Sequence, residues 1–240
     1  MEGTMRLGIM QPYFFPYLGY ISLMKHVDKF ILLDDVQFIR HGWIERNRIL
    51  KPDGGWQYIA VPLEKHEQKT CIKDIRINNA TEWKNKIIAQ LVHYKKAPYY
   101  YEVMEMLQSL FEVQYSTITE LDKAALIKIE EYLDMNTPIE IFRDMHIEIE
   151  KVKSPDEWAL NICRAFSDVD EYWNPPGGKV FFNPRKYENC NIKLKFQEIE
   201  LLEYKQKGRE FESGLSILDV MMFNSPEDIN QMLDRYRLYE

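Results

Sequence analysis

The hydrophobic pattern of this chain changes period several times, and each change predicts an element. Leu7–Met10 and Phe30–Leu33 are short, unbroken apolar runs, the pattern of strands covered on both faces. Tyr17 to His26 between them reads as a helix, so the opening is a strand–loop–helix–strand unit. Trp43–Leu50 and Trp56–Val61 flank Lys51-Pro-Asp-Gly-Gly55. Pro presets φ and Gly accepts φ > 0, so this stretch predicts a hairpin. A further strand is predicted over Ile72–Ile77.

Helical spacing then takes over. Thr81–Tyr94 places Trp83, Ile87, Ile88 and Leu91 on one face, and Ala97-Pro98 ends it because the residue before Pro is pushed out of the helical region. Tyr101–Phe111 and Thr119–Leu133 are amphipathic in the same way, with Asp134-Met-Asn136 as a break and Ile139–Phe142 as a strand. Ser154-Pro155-Asp156-Glu157 carries the composition of a capping box and predicts a helix to about Phe166. Ser225-Pro226-Glu227-Asp228 repeats it ahead of a C-terminal helix ending near Tyr239. Ile192, Leu194 and Phe196 alternate with polar neighbours, as in a half-buried strand. The prediction is an α/β fold: a mixed sheet with an N-terminal Rossmann-like unit, a β-hairpin and a helical middle region. One domain over 1–240 is expected, with a candidate helical subdomain at about 80–134.

Composition narrows the function classes. The chain has 240 residues, 45% hydrophobic and 13% aromatic, with a net charge of −7. That suits a compact globule with a sizeable core. The charges are mixed along the chain and no basic block marks a nucleic-acid footprint, so no nucleic-acid partner is expected. Cys71, Cys163 and Cys190 are far apart and odd in number. They suit free thiols in a reducing cytoplasm, and no zinc spacing or other metal site is expected. No apolar run approaches the roughly 20 residues of a membrane span, and no leader pattern opens the chain, so a cytoplasmic protein without membrane insertion is expected.

The candidate chemistry clusters where the predicted strands end, the usual place for ligands in open α/β sheets. Gln11 follows the first strand, and Pro12 and Pro16 stiffen the aromatic loop after it. Tyr13, Phe14, Phe15 and Tyr17 read equally as core or lid aromatics. Asp34 and Asp35 end the second strand. Neighbours on a strand point to opposite faces, so one suits a ligand and the other a turn or ion pair. His41 is a candidate base, as imidazole is the side chain whose ordinary charge change lies near neutrality. Arg46 suits bidentate recognition of phosphate or carboxylate, or an ion pair with Asp34 or Asp35, and Asn47 is placed to orient a substrate. Asn174-Pro-Pro-Gly-Gly178-Lys179 allows close backbone approach to a ligand, or is a connector. Ser213 or Ser216 reads as the cap of an apolar helix, and Cys163 as core. Pro16-Tyr-Leu-Gly19-Tyr20 resembles the Pro-His-x-Gly-His turn of nucleotidylyltransferases and class I aminoacyl-tRNA synthetases, with Tyr replacing both histidines.

Taken together, Gln11-Pro12-Tyr-Phe-Phe-Pro16-Tyr-Leu-Gly19-Tyr20, Asp34-Asp35-Val36-Gln37-Phe38, Gly42-Trp43-Ile-Glu-Arg46-Asn47, Val61-Pro62-Leu63, Tyr94-Lys-Lys-Ala97-Pro98, Tyr187 and Ser216-Ile-Leu-Asp219 resemble the WbqC-like protein family. The resemblance runs from Arg6 to the end, with Met1–Thr4 ahead of it. It departs at Tyr172-Trp-Asn-Pro-Pro-Gly-Gly, where relatives carry a Gly- and Tyr-containing loop. The family is often encoded beside bacterial surface-polysaccharide (O-antigen-type) genes. The resemblance therefore implies a transferase that moves an aminoacyl or acyl group onto a nucleotide-linked amino sugar, with an acyl or aminoacyl carrier protein as a candidate partner. It names no cofactor. On this reading Asp34, Asp35 and His41 are candidate catalytic residues, and Gln11, Tyr13, Tyr20, Arg46 and Asn47 candidate substrate-binding residues. The alternatives are a non-catalytic accessory protein that binds a carrier protein or biosynthetic enzyme, and a nucleotidyltransferase-like enzyme.

Overall fold

The computed structural model describes residues 5–207 and 210–240, so Met1–Thr4 lie outside the described residues. Six strands form one sheet: β1 (Met5–Met10), β2 (Lys29–Leu32), β5 (Ile139–Ile141), β6 (Val169–Asn174), β7 (Lys193–Ile199) and β8 (Tyr236–Tyr239). Their spatial order is β5-β2-β1-β6-β7-β8. All neighbouring pairs are parallel except β7–β8, which is antiparallel. The predicted hairpin forms separately, with β3 (Arg46–Leu50) antiparallel to β4 (Trp56–Ala60).

The two-residue period sorts side chains to the two faces of the sheet. Phe30, Leu32 and Trp173 join a large core on one side, whereas Leu7, Ile9, Ile31 and Tyr172 join a smaller core on the other. The large core is covered by α1 (Leu18–His26), α2 (Trp83–Leu91), α3 (Tyr100–Glu112), α4 (Ile118–Leu133), α7 (Ile217–Phe223) and α8 (Pro226–Leu233). The smaller is covered by α5 (Glu157–Arg164) and α6 (Pro184–Glu188). Gly8 leaves room for the Phe30 ring on the neighbouring strand, since a Cβ there would meet it at 2.9 Å.

Several helix ends follow their sequence signals. Thr117 accepts from the Glu120 N–H while Glu120 reaches back to the Thr117 N–H, a reciprocal capping box. Asp134 closes α4 in the left-handed region at φ 53°. Ser225 and Ser216 each accept from a helical N–H and cap α8 and α7.

Three local expectations are corrected, and one strand was not expected. Ile72–Ile77 is a 3₁₀ turn (Ile72–Asp74) with isolated bridges at Cys71, Arg76 and Ile77, not a strand. The C-terminal helix stops at Leu233, and β8 follows as the antiparallel edge strand. The Ser154 hydroxyl donates to Asp156 rather than capping a backbone N–H, so α5 starts only at Glu157, whose side chain reaches back to the Lys153 N–H at 2.7 Å. Val169–Asn174 had no predicted element and is β6, beside β1.

Among the described residues no helix is long and apolar enough to cross a membrane.

Candidate functional site

The connection that leaves β1 goes to β2 and onward to β5, whereas the chain returns to pair β6 on the other side of β1. Strand order therefore reverses between β1 and β6, and a crevice must open beyond their C-terminal ends. A cavity of about 1070 Å³ lies there, lined by Met10 and Gln11 from β1, Leu33 after β2, and Tyr172 and Asn174 from β6. Its size is at the upper end of ordinary ligand pockets, roughly 300–1,000 Å³.

Four further segments complete the walls. The Pro-bracketed turn contributes Tyr13, Pro16 and Tyr17, and the hairpin side contributes Trp43, Asn47 and Arg48. Lys153, Ser154 and Trp158 come from the start of α5, and Pro175 to Gly178, Phe181 and Phe182 from the loop after β6. Trp43, Ile39 and Phe181 reach the mouth, where they are 37%, 63% and 52% exposed. The lining holds two cations, Arg48 and Lys153, and among the described residues no carboxylate, imidazole or thiol.

The turn is held in place by side chains of β3 and of the cap of α7. The buried Asn47 amide donates to the Phe14 and Phe15 carbonyls at 3.1 and 2.9 Å, and its oxygen accepts from the Arg48 N–H at 2.8 Å. Ser216 also donates to the Phe15 carbonyl, at 2.8 Å. These bonds hold Phe15 at φ 40°, a conformation non-glycine residues rarely adopt. Tyr20 is fully buried and donates to the Gln11 carbonyl at 2.9 Å, which fixes the start of the turn. Burial raises the phenol pKa of Tyr13, Tyr17 and Tyr20, so these rings enter chemistry as neutral hydroxyls.

Of the candidate residues, Gln11, Tyr13 and Asn47 line the cavity, whereas Tyr20, Asp34, Asp35, His41 and Arg46 do not. Asp34 is fully buried, and it accepts the Arg143 N–H at 3.2 Å with the guanidinium Nε at 3.5 Å. Burial pushes its pKa up to about 6 against the lowering effect of Arg143. Asp35 is in an ion pair with Lys73. His41 sits exposed at φ 63° in a turn whose N–H donates to Glu45 at 3.0 Å. Arg46 donates to the His41 and Gly42 carbonyls and lies over the Tyr58 ring at 4.0 Å, with neither Asp34 nor Asp35 as its partner. The expected single cleft of Gln11, an Asp of the pair, Arg46 and Asn47 is therefore not formed. The cation at the cavity is Arg48, two residues further along the same strand.

Arg48, Lys153, Trp158 and Asn174 escaped the sequence reading. Arg48 was overshadowed by Arg46, although alternate strand positions share a face. Asn174 was visible only as the start of a Gly-rich connector. Its amide donates to the Tyr172 hydroxyl at 2.6 Å, which turns it toward the end of β1. Gly178 lets that loop fold back, because a Cβ there would meet Asn174 Oδ1 at 2.5 Å and the Phe182 ring at 2.7 Å.

Comparison with known proteins agrees with the sequence resemblance. The model of the WbqC-like protein family matches residues 11–231. An uncharacterized protein of Mycobacterium tuberculosis (strain ATCC 25618 / H37Rv), Rv1507c, is 29% identical over 225 residues, covering 91% of this chain and 93% of the relative. No solved structure matches the chain.

Proposed function

Since the chain belongs to the WbqC-like protein family, we propose that it is a transferase of surface-polysaccharide biosynthesis, moving an acyl or aminoacyl group onto a nucleotide-linked amino sugar. One observation carries this reading. The cavity at the switch point joins an apolar, aromatic wall to two cations, with no carboxylate among its described lining residues. Such a site favours a bulky ligand with both a flat or apolar part and a negative charge. A nucleotide-linked sugar has that character, and an acyl donor fits the remaining apolar wall.

In the reaction, the sugar amine attacks the donor carbonyl. The N–C bond forms, the C–S or C–O bond of the activated donor breaks, and the amine proton leaves with the departing thiol or alcohol. The lining offers no ordinary general base among the described residues, so the protein's contribution is positioning and exclusion of water. Gln11 at the end of β1 brings an amide into the cavity wall, the type of donor that stabilises charge developing on a carbonyl oxygen, while the Asn174 amide is spent on the Tyr172 hydroxyl. Asp34 and Asp35, held in ion pairs away from the cavity, support the loops that follow β2.

Folded protein incubated with nucleotide-linked amino sugars and acyl-thioester or aminoacyl donors should yield sugars heavier by the acyl group. The lining's lack of a base favours one competing reading, a binding protein that delivers such a ligand without reacting. Calorimetry separates the two: binding without product across a broad donor panel supports delivery and refutes transfer.

A further inference from the structure

Arg48 is a cation without an anion. It lines the cavity from β3, and its guanidinium carbon lies 5.4 Å from the Trp43 ring centre and 5.2 Å from that of Trp56. Nη2 donates to the Gly214 carbonyl at 3.1 Å, while Nε is buried with no partner. Among the described residues no carboxylate forms an ion pair with Arg48, and none lines the cavity. Arg46 is the contrast, since its donors are spent on two backbone carbonyls.

This arrangement is costly unless it serves a ligand. A buried N–H without an acceptor destabilises the fold until something supplies one. The indole faces attract the guanidinium by cation–π forces and restrict its plane, so the fork is held ready rather than ordered on binding. A planar fork of this kind suits phosphate or carboxylate oxygens. Lys153 adds a second charge to the same cavity from the segment ahead of α5. Two cations and about 1070 Å³ exceed what one small carboxylate needs. Trp158, Phe181 and Phe182 add aromatic surface to the lining, against which a flat base stacks.

We propose that Arg48 anchors the diphosphate of a nucleoside diphosphate, with Lys153 as the second phosphate-facing charge. The inference rests on the cavity being the ligand site of the proposed transferase, but not on transfer itself. Two sources share this chemistry: the nucleotide half of a sugar nucleotide, and the adenosine-diphosphate end of an acyl-carrying coenzyme.

The test is titration calorimetry and indole fluorescence with uridine diphosphate, uridine and coenzyme A. Wild-type protein should bind uridine diphosphate or coenzyme A at least tenfold more tightly than uridine, and the indoles flanking Arg48 should report it. Arg48→Met should weaken diphosphate binding at least tenfold, Arg48→Lys by less, and Arg46→Met not at all, with melting temperatures taken alongside. Because Arg48→Met also loses the bond to Gly214, Lys153→Met provides an exposed second variant, expected to weaken binding several-fold without touching the fold. Whichever diphosphate binds tighter identifies the source, and either supports the anchor. Equal affinity for uridine and uridine diphosphate, wild-type affinity in both Arg48→Met and Lys153→Met, or no binding of either diphosphate at millimolar concentration overturns it. Diphosphate binding with no transfer product refutes only the transferase reading, and transfer that survives Arg48→Met undiminished refutes only the anchor.

Discussion

Replacing Asn47 by Ala should loosen the cavity wall, because this one side chain both lines the cavity and holds the aromatic turn. The substitution removes two amide donors from the Phe14 and Phe15 carbonyls and the acceptor of the Arg48 N–H. Three hydrogen bonds at a net value of about 1 kcal/mol each give about 3 kcal/mol. Release of Phe15 from its left-handed conformation returns roughly 1 kcal/mol of that. The expected loss is about 2 kcal/mol, which lowers the melting temperature of a domain this size by roughly 4–8 °C. Asn47→Asp keeps the shape but points oxygen at two carbonyl oxygens, so it should cost more than Ala. Ser216→Ala removes the remaining side-chain donor to the Phe15 carbonyl and the α7 cap, about 1–2 kcal/mol. The double variant should lose less than the sum, because the turn has already loosened when the second bond goes. Urea denaturation followed by near-UV circular dichroism measures all four proteins. An Asn47→Ala variant within 0.5 kcal/mol of wild type on the scale of a single hydrogen bond, or an Asn47→Asp variant milder than it, refutes the strap.

Three further outcomes follow from the same geometry. The folded Asp34 carboxyl keeps its proton to about pH 6, whereas an unfolded one releases it near pH 4. The folded state thus binds more protons in that window, and stability falls as pH rises through it. Asn at 34 still accepts the Arg143 N–H and removes the titration. Its stability relative to wild type should climb by about 2 kcal/mol between pH 4 and pH 7, and a flat difference in urea midpoints across that range refutes this. Gly178→Ala should push the loop after β6 away from Asn174 and Phe182 and weaken ligand binding measured by calorimetry, with stability nearly unchanged. Unaltered affinity would show that the loop yields freely. Asp134→Gly should stabilise the C-terminus of α4 by about 0.5–1 kcal/mol, because Gly holds the left-handed cap without steric cost, and a lowered thermal midpoint would contradict it.

How far the sequence speaks depends on whether the signal is local. The opening unit, the hairpin and α2 to α4 were legible because apolar period, Pro and Gly act within a few residues. β6 was not, because its polar positions disguise it. Glu171 is buried yet paired with Lys195 across to β7 at 2.8 Å, a partner 24 residues away. β8 lacked clear alternation and follows α8 so closely that helical spacing seemed to continue. The site divided along the same line. Gln11, Tyr13 and Asn47 were found because they sit beside the motif that drew attention. Asp34, Asp35 and Arg46 carry chemistry of the right type, but Arg143, Lys73 and backbone carbonyls claim it. Which of two neighbouring arginines faces a cavity is decided by contacts with Trp56 and Gly214, and no short window contains both.

The strap on the Phe15 carbonyl also sets a timetable for the nascent chain. The turn's partners lie far apart in sequence: Ser216 reaches Phe15 across 201 positions, Ser216 N–H finds the Arg48 carbonyl, and Ile217 N–H finds that of Pro16. During synthesis the aromatic segment Tyr13–Tyr17 is made about 200 residues ahead of Ser216 and lacks that partner until it emerges. At roughly 5–20 residues per second that wait lasts tens of seconds. Through that interval Asn47 alone of the two side chains holds the Phe15 carbonyl, so the turn is less restrained while the protein is being made than once it is complete.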